Sequence, residues 1–253
     1  MNRIYFVGAG PGDPELITVK GRRLLEQAEV VVYAGSLVPV ALVEGLAAEL
    51  HDSAGLTLEE IIAVMSEGVR AGKRVVRLHT GDPSIYGAIR EQMEQLARQR
   101  IPFEVVPGVS SATAAAAALG AELTLPGVSQ TVIITRRAGR TPVPEKEDLV
   151  SLAAHRATML ILLSVAMIDQ VAADLAAGGY PAETPVAVVE KVSWPEQRII
   201  RATLGDIAGR VRAAGIKKTA IIAVGEALRE EPAGALSKLY DQSFSHGCRQ
   251  GKE

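Results

Sequence analysis

A single cysteine, Cys248, among 253 residues excludes a disulfide framework and favours a reducing compartment. Aromatic residues reach only 4%, which argues against an aromatic-rich β-sandwich. Neither sign of charge dominates, since the formal net charge is -2, so no broad electrostatic footprint for nucleic acid is expected. No apolar run approaches the roughly 20 residues that span a bilayer, and no membrane partner is expected. Met1-Asn2-Arg3-Ile4-Tyr5 runs at once into a strand-like stretch, so no signal peptide is expected and a cytoplasmic location is.

Chemical motifs are missing as well. The chain carries no Gly-x-x-x-x-Gly-Lys-Ser/Thr phosphate loop and no Gly-x-Ser-x-Gly nucleophile elbow. His51, His79, His155 and His246 lack the mutual spacing, or the cysteines, of a metal site, and no metal is expected. His79 stands beside one of the motifs described below, but a packed histidine at a strand end is its default reading. No catalytic residue can be named. An enzyme that mainly aligns two reactive partners would look like this.

What the chain does have is alternation. Short β-branched runs at residues 4–9, 29–33, 74–80 and 103–106 are separated by helical patterns at 14–27, 38–50, 58–71 and 85–98. This predicts βαβ units with a mostly parallel sheet. The alanine-rich stretch 112–119 reads as a buried helix. Residues 121–128, with Pro126 and Gly127, form a connector. Strand signals then resume at 131–135, 158–164, 186–190, 198–203 and 219–224, with helices at 166–177 and 204–214. Only a turn around Trp194-Pro195 separates two of these strands, too short for a helical crossover. That predicts an antiparallel hairpin, hence a mixed second sheet. The expected organisation is an α/β domain over residues 1–120, a linker over 121–128, a second α/β domain over 129–240 and a tail over 241–253.

Three glycine-bearing turns follow strands of the first half. The first is Gly8-Ala9-Gly10-Pro11-Gly12-Asp13-Pro14-Glu15, the second Thr80-Gly81-Asp82-Pro83-Ser84-Ile85-Tyr86-Gly87, the third Pro107-Gly108-Val109-Ser110-Ser111. Taken singly, each is a tight turn, and in the first two an Asp caps a helix and a Pro opens it. Taken together at the carboxyl ends of parallel strands, they converge on the crevice where open α/β sheets bind ligands. A dinucleotide fingerprint fits poorly. Its third glycine would fall on Asp13, and the second strand continues into Ala34-Gly35-Ser36 without the acidic residue that would hold a ribose.

Arg136, Arg137 and Arg140 follow one strand of the second half, and Lys191, Arg198 and Arg201 lie in and around the hairpin. Two readings stay open for them: a solvated face, or guanidinium forks matched to carboxylates.

The run Val7-Gly8-Ala9-Gly10-Pro11-Gly12-Asp13-Pro14-Glu15-Leu16-Ile17-Thr18 resembles the N-terminal signature of the tetrapyrrole methylases. So do Gly81-Asp82-Pro83 with Tyr86-Gly87, and Val106-Pro107-Gly108-Val109-Ser110. Tyr33-Ala34-Gly35-Ser36-Leu37-Val38, Leu123-Thr124-Leu125-Pro126-Gly127-Val128-Ser129-Gln130-Thr131, and Ser237-Lys238-Leu239-Tyr240 with Phe244-Ser245-His246 are similar to the subgroup that methylates precorrin-4 at C-11 for cobalamin. The subgroup acting on uroporphyrinogen III is less similar, because it usually carries Asp where Ala34 stands.

The resemblance implies two α/β domains with an active-site cleft between them, S-adenosylmethionine as cofactor, S-adenosylhomocysteine as product, a tetrapyrrole substrate and a homodimer. Carried over by motif, it places Pro11, Thr80, Gly81, Asp82, Ile85, Tyr86, Ser110 and Ser111 at the cofactor. From later segments it adds Leu163, Ser164, Val192, Thr219 and Ala220. A precorrin bears many carboxylate arms, which gives Ser36, Arg136, Arg137, Lys191 and Arg201 a role at the substrate.

Overall fold

Residues 3–230 and 237–250 are described by a computed structural model, in which the chain divides into two units. The first comprises Met1–Ala114 with Val192–Glu196, and the second Ala115–Lys191 with Gln197–Glu253. Residues 231–236 of the expected second domain and 251–253 of the expected tail lie outside the described residues.

The first unit is built on strands β1 (Ile4–Gly8), β2 (Val30–Tyr33), β3 (Glu49–Asp52), β4 (Val75–His79) and β5 (Phe103–Val106). They form one sheet in the order β3-β2-β4-β1-β5, with every pairing parallel. Its strands β1 and β2 read as unbroken apolar runs because both faces are buried. Ile4, Phe6, Val30, Val32 and Val75 pack on one face with Ile61, Met65 and Leu96. Val7, Val31, Val76 and Leu78 pack on the other with Leu25 and Leu42. The helices are α1 (Val19–Glu26), α2 (Val40–Val43), α3 (Leu58–Arg70) and α4 (Ile89–Arg98). Helix α3 opens on a capping box in which Thr57 and Glu60 satisfy each other's backbone N–H.

The chain departs from its sequence pattern at three places in this unit. The helix expected over 38–50 is a single turn, α2, after Pro39; Gly45 then turns left-handed (φ 77), and Glu49–Asp52 pairs with β2 as an edge strand. Its polar residues gave no strand signal. The helix expected over 14–27 is interrupted, because Ile17 and Thr18 are extended and the Thr18 hydroxyl caps a new helix from Val19 by accepting the Gly21 N–H. The helix expected from residue 85 begins only at Ile89, since Tyr86 (φ 54) and Ala88 (φ 48) are left-handed.

After α5 (Ser111–Leu119), residues 121–131 form no helix or strand, only a turn closed by a Leu125–Ser129 bridge. The second unit contains β6 (Val132–Arg136), α6 (Leu149–Ala153), β7 (Thr158–Leu162), α7 (Ile168–Ala177), β8 (Pro185–Glu190), β9 (Arg198–Thr203), α8 (Ile207–Ala213) and β10 (Ala220–Val224). Its sheet runs β6-β7-β10-β8-β9 and is mixed: β6 and β7 are parallel, the remaining pairs antiparallel. The hairpin holds its full register from Pro185 opposite Thr203 to Glu190 opposite Arg198. Met159, Ile161, Val188 and Ile222 pack on Leu149, Val171, Leu175 and Val211 of α6, α7 and α8. Among the described residues, no helix is long and apolar enough to cross a membrane.

Candidate active site

In the first unit the turns after β1, β4 and β5 are bonded into one body. Gly10 and Gly81 exchange backbone hydrogen bonds of 3.3 and 2.8 Å, and the Ala9 N–H donates to the His79 carbonyl at 2.7 Å. The Gly108 N–H donates to Asp82 Oδ2 at 2.9 Å. Approach this close needs bare α-carbons. A Cβ on Gly8 would lie 2.6 Å from the Gly108 Cα, and one on Gly108 would lie 2.2 Å from the Gly81 carbonyl oxygen.

Asp82 does not cap a long helix as its motif predicts. Its Oδ1 accepts the Ser84 N–H at 2.8 Å and the Ser84 hydroxyl at 2.5 Å, while Oδ2 reaches the third turn. Burial works to raise its pKa; the bonds from Ser84 and Gly108 outweigh it, and the net direction is down. Asp13 does cap its short 3-10 turn, by accepting the Glu15 N–H at 2.9 Å.

The structure thus gathers Pro11, Thr80, Gly81, Asp82, Ile85, Tyr86, Ser110 and Ser111 on three joined turns. Pro11 and Gly81 are buried, Asp82, Ile85, Ser110 and Ser111 half-buried, and Thr80 and Tyr86 exposed. Val192 belongs to this unit too and is buried.

A polar chain that sequence reading missed runs beneath the second turn. Arg77 is buried inside β4; its Nη1 donates to the Val32 carbonyl and its Nε to Gln92 Oε1, both at 3.2 Å. Gln92 Nε2 donates to the carbonyl of left-handed Ala88 at 3.1 Å. Burial pushes the Arg77 pKa down to about 10, which leaves it charged at neutral pH. His79 is buried beside it, with Nε2 unpartnered. Burial first, and the Arg77 charge second, push the His79 pKa down to about 3, so the imidazole is neutral.

In the second unit the cofactor candidates and one substrate candidate sit at one end of the sheet. Leu163 and Ser164 follow β7, Thr219 precedes β10 and Ala220 opens it, and Lys191, proposed for the substrate, follows β8. The antiparallel pairings bring these ends together, and the Lys191 N–H donates to the Thr219 carbonyl at 2.8 Å. Leu163 (φ 56), Lys191 (φ 45) and Thr219 (φ 53) are all left-handed, and for a β-branched Thr that is a true outlier. Each such residue costs of order 1–3 kcal/mol, and residues of this kind cluster at ligand sites. Leu163 is 69% exposed, an unusual place for a leucine held in strain. The buried Ser164 hydroxyl donates to the Leu162 carbonyl at 2.7 Å and accepts the Arg137 N–H at 2.9 Å. No sequence pattern announced this run of left-handed residues.

The basic candidates divide. Arg136 ends β6 in register with Leu162, so Arg136 and Arg137 lie at that same sheet end. The Arg136 guanidinium donates to the carbonyls of Thr141 (3.0 Å) and Pro142 (2.7 Å), and Arg137 Nε to Asp174 at 2.5 Å. Arg201 lies further along the sheet, opposite Ala187, where it donates to the Leu119 carbonyl at 2.6 Å and faces Glu230 at 3.4 Å. Ser36 sits in the 3-10 turn Gly35–Leu37, and its side chain lies outside what is described.

The chain is similar to known proteins along nearly its whole length. Residues 3–208 match the family described as Tetrapyrrole (Corrin/Porphyrin) Methylases. A cobalt-precorrin-4 C(11)-methyltransferase of Methanocaldococcus jannaschii is 58% identical over 98% of this chain and 96% of its own length. A precorrin-4 C(11)-methyltransferase of Pseudomonas aeruginosa is 51% identical over 98% and 99%. Among solved structures, a cobalt precorrin-4 methyltransferase superposes with a TM-score of 0.88 at 50% identity, covering 90% of this chain and 96% of that one. A uroporphyrin-III C-methyl transferase from Thermus thermophilus, complexed with S-adenyl homocysteine, gives 0.76 at 33% identity over 90% and 99%. By the family match and by identity along nearly its whole length, this chain belongs to the tetrapyrrole (corrin/porphyrin) methylases.

Proposed function

We propose that this protein transfers a methyl group from S-adenosylmethionine to C-11 of precorrin-4, giving precorrin-5, on the route to cobalamin. The observation that carries the reading is the fusion of three glycine turns by the Gly10–Gly81 and Asp82–Gly108 bonds, in a chain more than half identical to C(11)-methyltransferases. When bound, the cofactor supplies a methyl group already activated on a sulfonium. The protein's task is then alignment, with donor and acceptor carbons about 3–3.5 Å apart.

The residues fit that cofactor. Gly81 is left-handed (φ 60), and a Cβ there would only reach ordinary contact with the Ser111 nitrogen at 3.8 Å, so this turn is not closed off by its neighbours as Gly8 and Gly108 are. Pro11, Thr80–Asp82, Ile85, Tyr86, Ser110 and Ser111 would hold the cofactor from the first unit, with Val192. Leu163, Ser164, Thr219 and Ala220 of the second unit are proposed as cofactor residues on the family resemblance. Arg136, Arg137, Lys191 and Ser36 are proposed for the carboxylate arms of the substrate. Arg136 and Arg137 would exchange their present partners for them. Arg201 is proposed for an outer arm only, given its place along β9.

A second reading has the cobalt complex of precorrin-4 as substrate. The 58%-identical relative and the superposed structure, both named for the cobalt form, favour it. The metal would belong to the substrate and need no protein ligand. We also propose a homodimer acting in the cytoplasm, tested by light scattering. The deciding experiment offers precorrin-4 and its cobalt complex with S-adenosylmethionine labelled by carbon-13 at the methyl group. One added methyl, located at C-11 by NMR, is the expected result. Label at another carbon overturns the regiochemistry, and turnover of one form alone identifies the substrate.

A further inference from the structure

The chain's single tryptophan lies on the first glycine turn. The segment Val192–Glu196 is part of the first unit, and two of its residues grip three consecutive positions of that turn. Trp194 Nε1 donates to the Pro11 carbonyl at 2.9 Å. Ser193 Oγ accepts the Asp13 N–H at 2.9 Å. Between them lies Gly12, where a Cβ would stand 2.1 Å from Trp194 Cδ1 and 2.3 Å from its Nε1, so the indole occupies the space any side chain would need. On its other side the turn is held by the Gly10–Gly81 pair.

These contacts are made at a cost. Ser193 is left-handed (φ 64), and an indole is placed half-buried against a glycine. In exchange the Pro11 carbonyl, which projects from a turn outside any sheet ladder, gains a fixed direction, as does the Asp13 amide two residues on. A Gly-Pro-Gly turn has few constraints of its own beyond the proline ring, because each flanking glycine visits both signs of φ readily. The Trp194 and Ser193 bonds remove that freedom before a ligand arrives, which lowers the ordering cost of binding.

We infer that Trp194 and Ser193 are positioning residues that preset Pro11–Asp13 in the shape that receives S-adenosylmethionine. This rests on the cofactor reading proposed above. It also makes Trp194 a reporter, since a ligand lying against Pro11 changes the surroundings of the indole bonded to its carbonyl.

The test uses the full chain and S-adenosylhomocysteine as the probe, with affinity measured by calorimetry. Trp194→Phe keeps a ring over Gly12 and removes the N–H. It should weaken binding about tenfold, and Ser193→Ala several-fold. Both should raise the KM for S-adenosylmethionine and leave the KM for the tetrapyrrole unchanged. In the parent protein, saturation with the probe should shift the indole emission. Melting temperatures of the variants should stay within about 4 °C of the parent, a change of roughly 1 kcal/mol in a chain of this size. Should Trp194→Phe fail to fold, Ser193→Ala, which removes one oxygen, carries the comparison. Parental affinity in a folded variant, or binding without any change in emission, overturns the positioning role alone. Absence of binding by the parent protein overturns the cofactor reading and the inference with it.

Discussion

Asp82 and Gly108 are joined by a 2.9 Å hydrogen bond from a backbone N–H to a carboxylate oxygen, across 26 residues of chain. A motif that reads as a helix cap is therefore a tie between two turns. The distinction matters, because a cap stabilises one helix whereas this carboxylate sets the spacing of two strand ends that are proposed to share a ligand.

Asp82→Ala should lower unfolding free energy by about 1–2 kcal/mol, the usual loss when a carboxylate that accepts N–H bonds is removed. Asp82→Asn, which keeps an acceptor oxygen, should lose less. Urea midpoints check the stability. Calorimetry with S-adenosylhomocysteine should show at least tenfold weaker binding for the Ala variant. Because the folded pKa of Asp82 lies below its ordinary value, its contribution is present at neutral pH and fades as pH falls through that folded value. The two variants should therefore converge with the parent in strong acid.

Gly108→Ala should be among the most damaging single-methyl additions to the chain. Its new Cβ would meet backbone on both sides, 2.2 Å from the Gly81 oxygen and 2.8 Å from the Gly8 Cα, and neither can swing away as a side chain can. A loss of about 3 kcal/mol is expected. Gly55→Ala, with no atom within 4 Å of the added carbon, is the control and should change stability by less than about 0.5 kcal/mol. Similar midpoints for the two would show that the turns tolerate separation.

His79 should make the fold acid-sensitive. Its folded pKa of about 3 lies well below the value of roughly 6.5 it has in an unfolded chain. Between these limits the unfolded chain binds a proton that the folded one does not. Stability is thus complete above about pH 6.5 and declines as pH falls toward 3. Between pH 7 and pH 5 the loss from His79 alone should be about 2 kcal/mol. Denaturant titrations at both pH values check it, and His79→Leu should remove that share of the drop. An unchanged drop in the variant would mean that other groups carry the acid response.

Gly209→Ala should stabilise the protein. Gly209 lies exposed inside α8, and an added Cβ finds nothing within 4 Å. Replacing a mid-helix glycine reduces the entropy lost on folding by about 0.5–1 kcal/mol. Scanning calorimetry should show a melting temperature higher by roughly 2–4 °C per kcal/mol gained.

The amino-acid sequence by itself determined the parts of this protein that depend on neighbours along the chain. The all-apolar Val30-Val31-Val32 run needed a sheet buried on both faces, and the turn between residues 190 and 198 was too short for anything but an antiparallel hairpin. The three glycine turns stood out because each is a local exception to the pattern around it. Tertiary structure decided whatever depends on residues far apart. Glu49–Asp52 is a strand only because the edge of β2 offers its backbone a ladder, since its own side chains do not favour one. Arg77 is buried in β4 because the Val32 carbonyl and Gln92 meet its guanidinium there. Arg201 lies away from Arg136 because strand register, which composition does not encode, puts it opposite Ala187. Leu163, Lys191 and Thr219 are left-handed against their own preferences, which only the surrounding structure can impose. Gly12 is the clearest case. It reads as one more flexible residue in a glycine turn, yet the folded chain needs it bare because Trp194, far along the chain, fills the space a side chain would take.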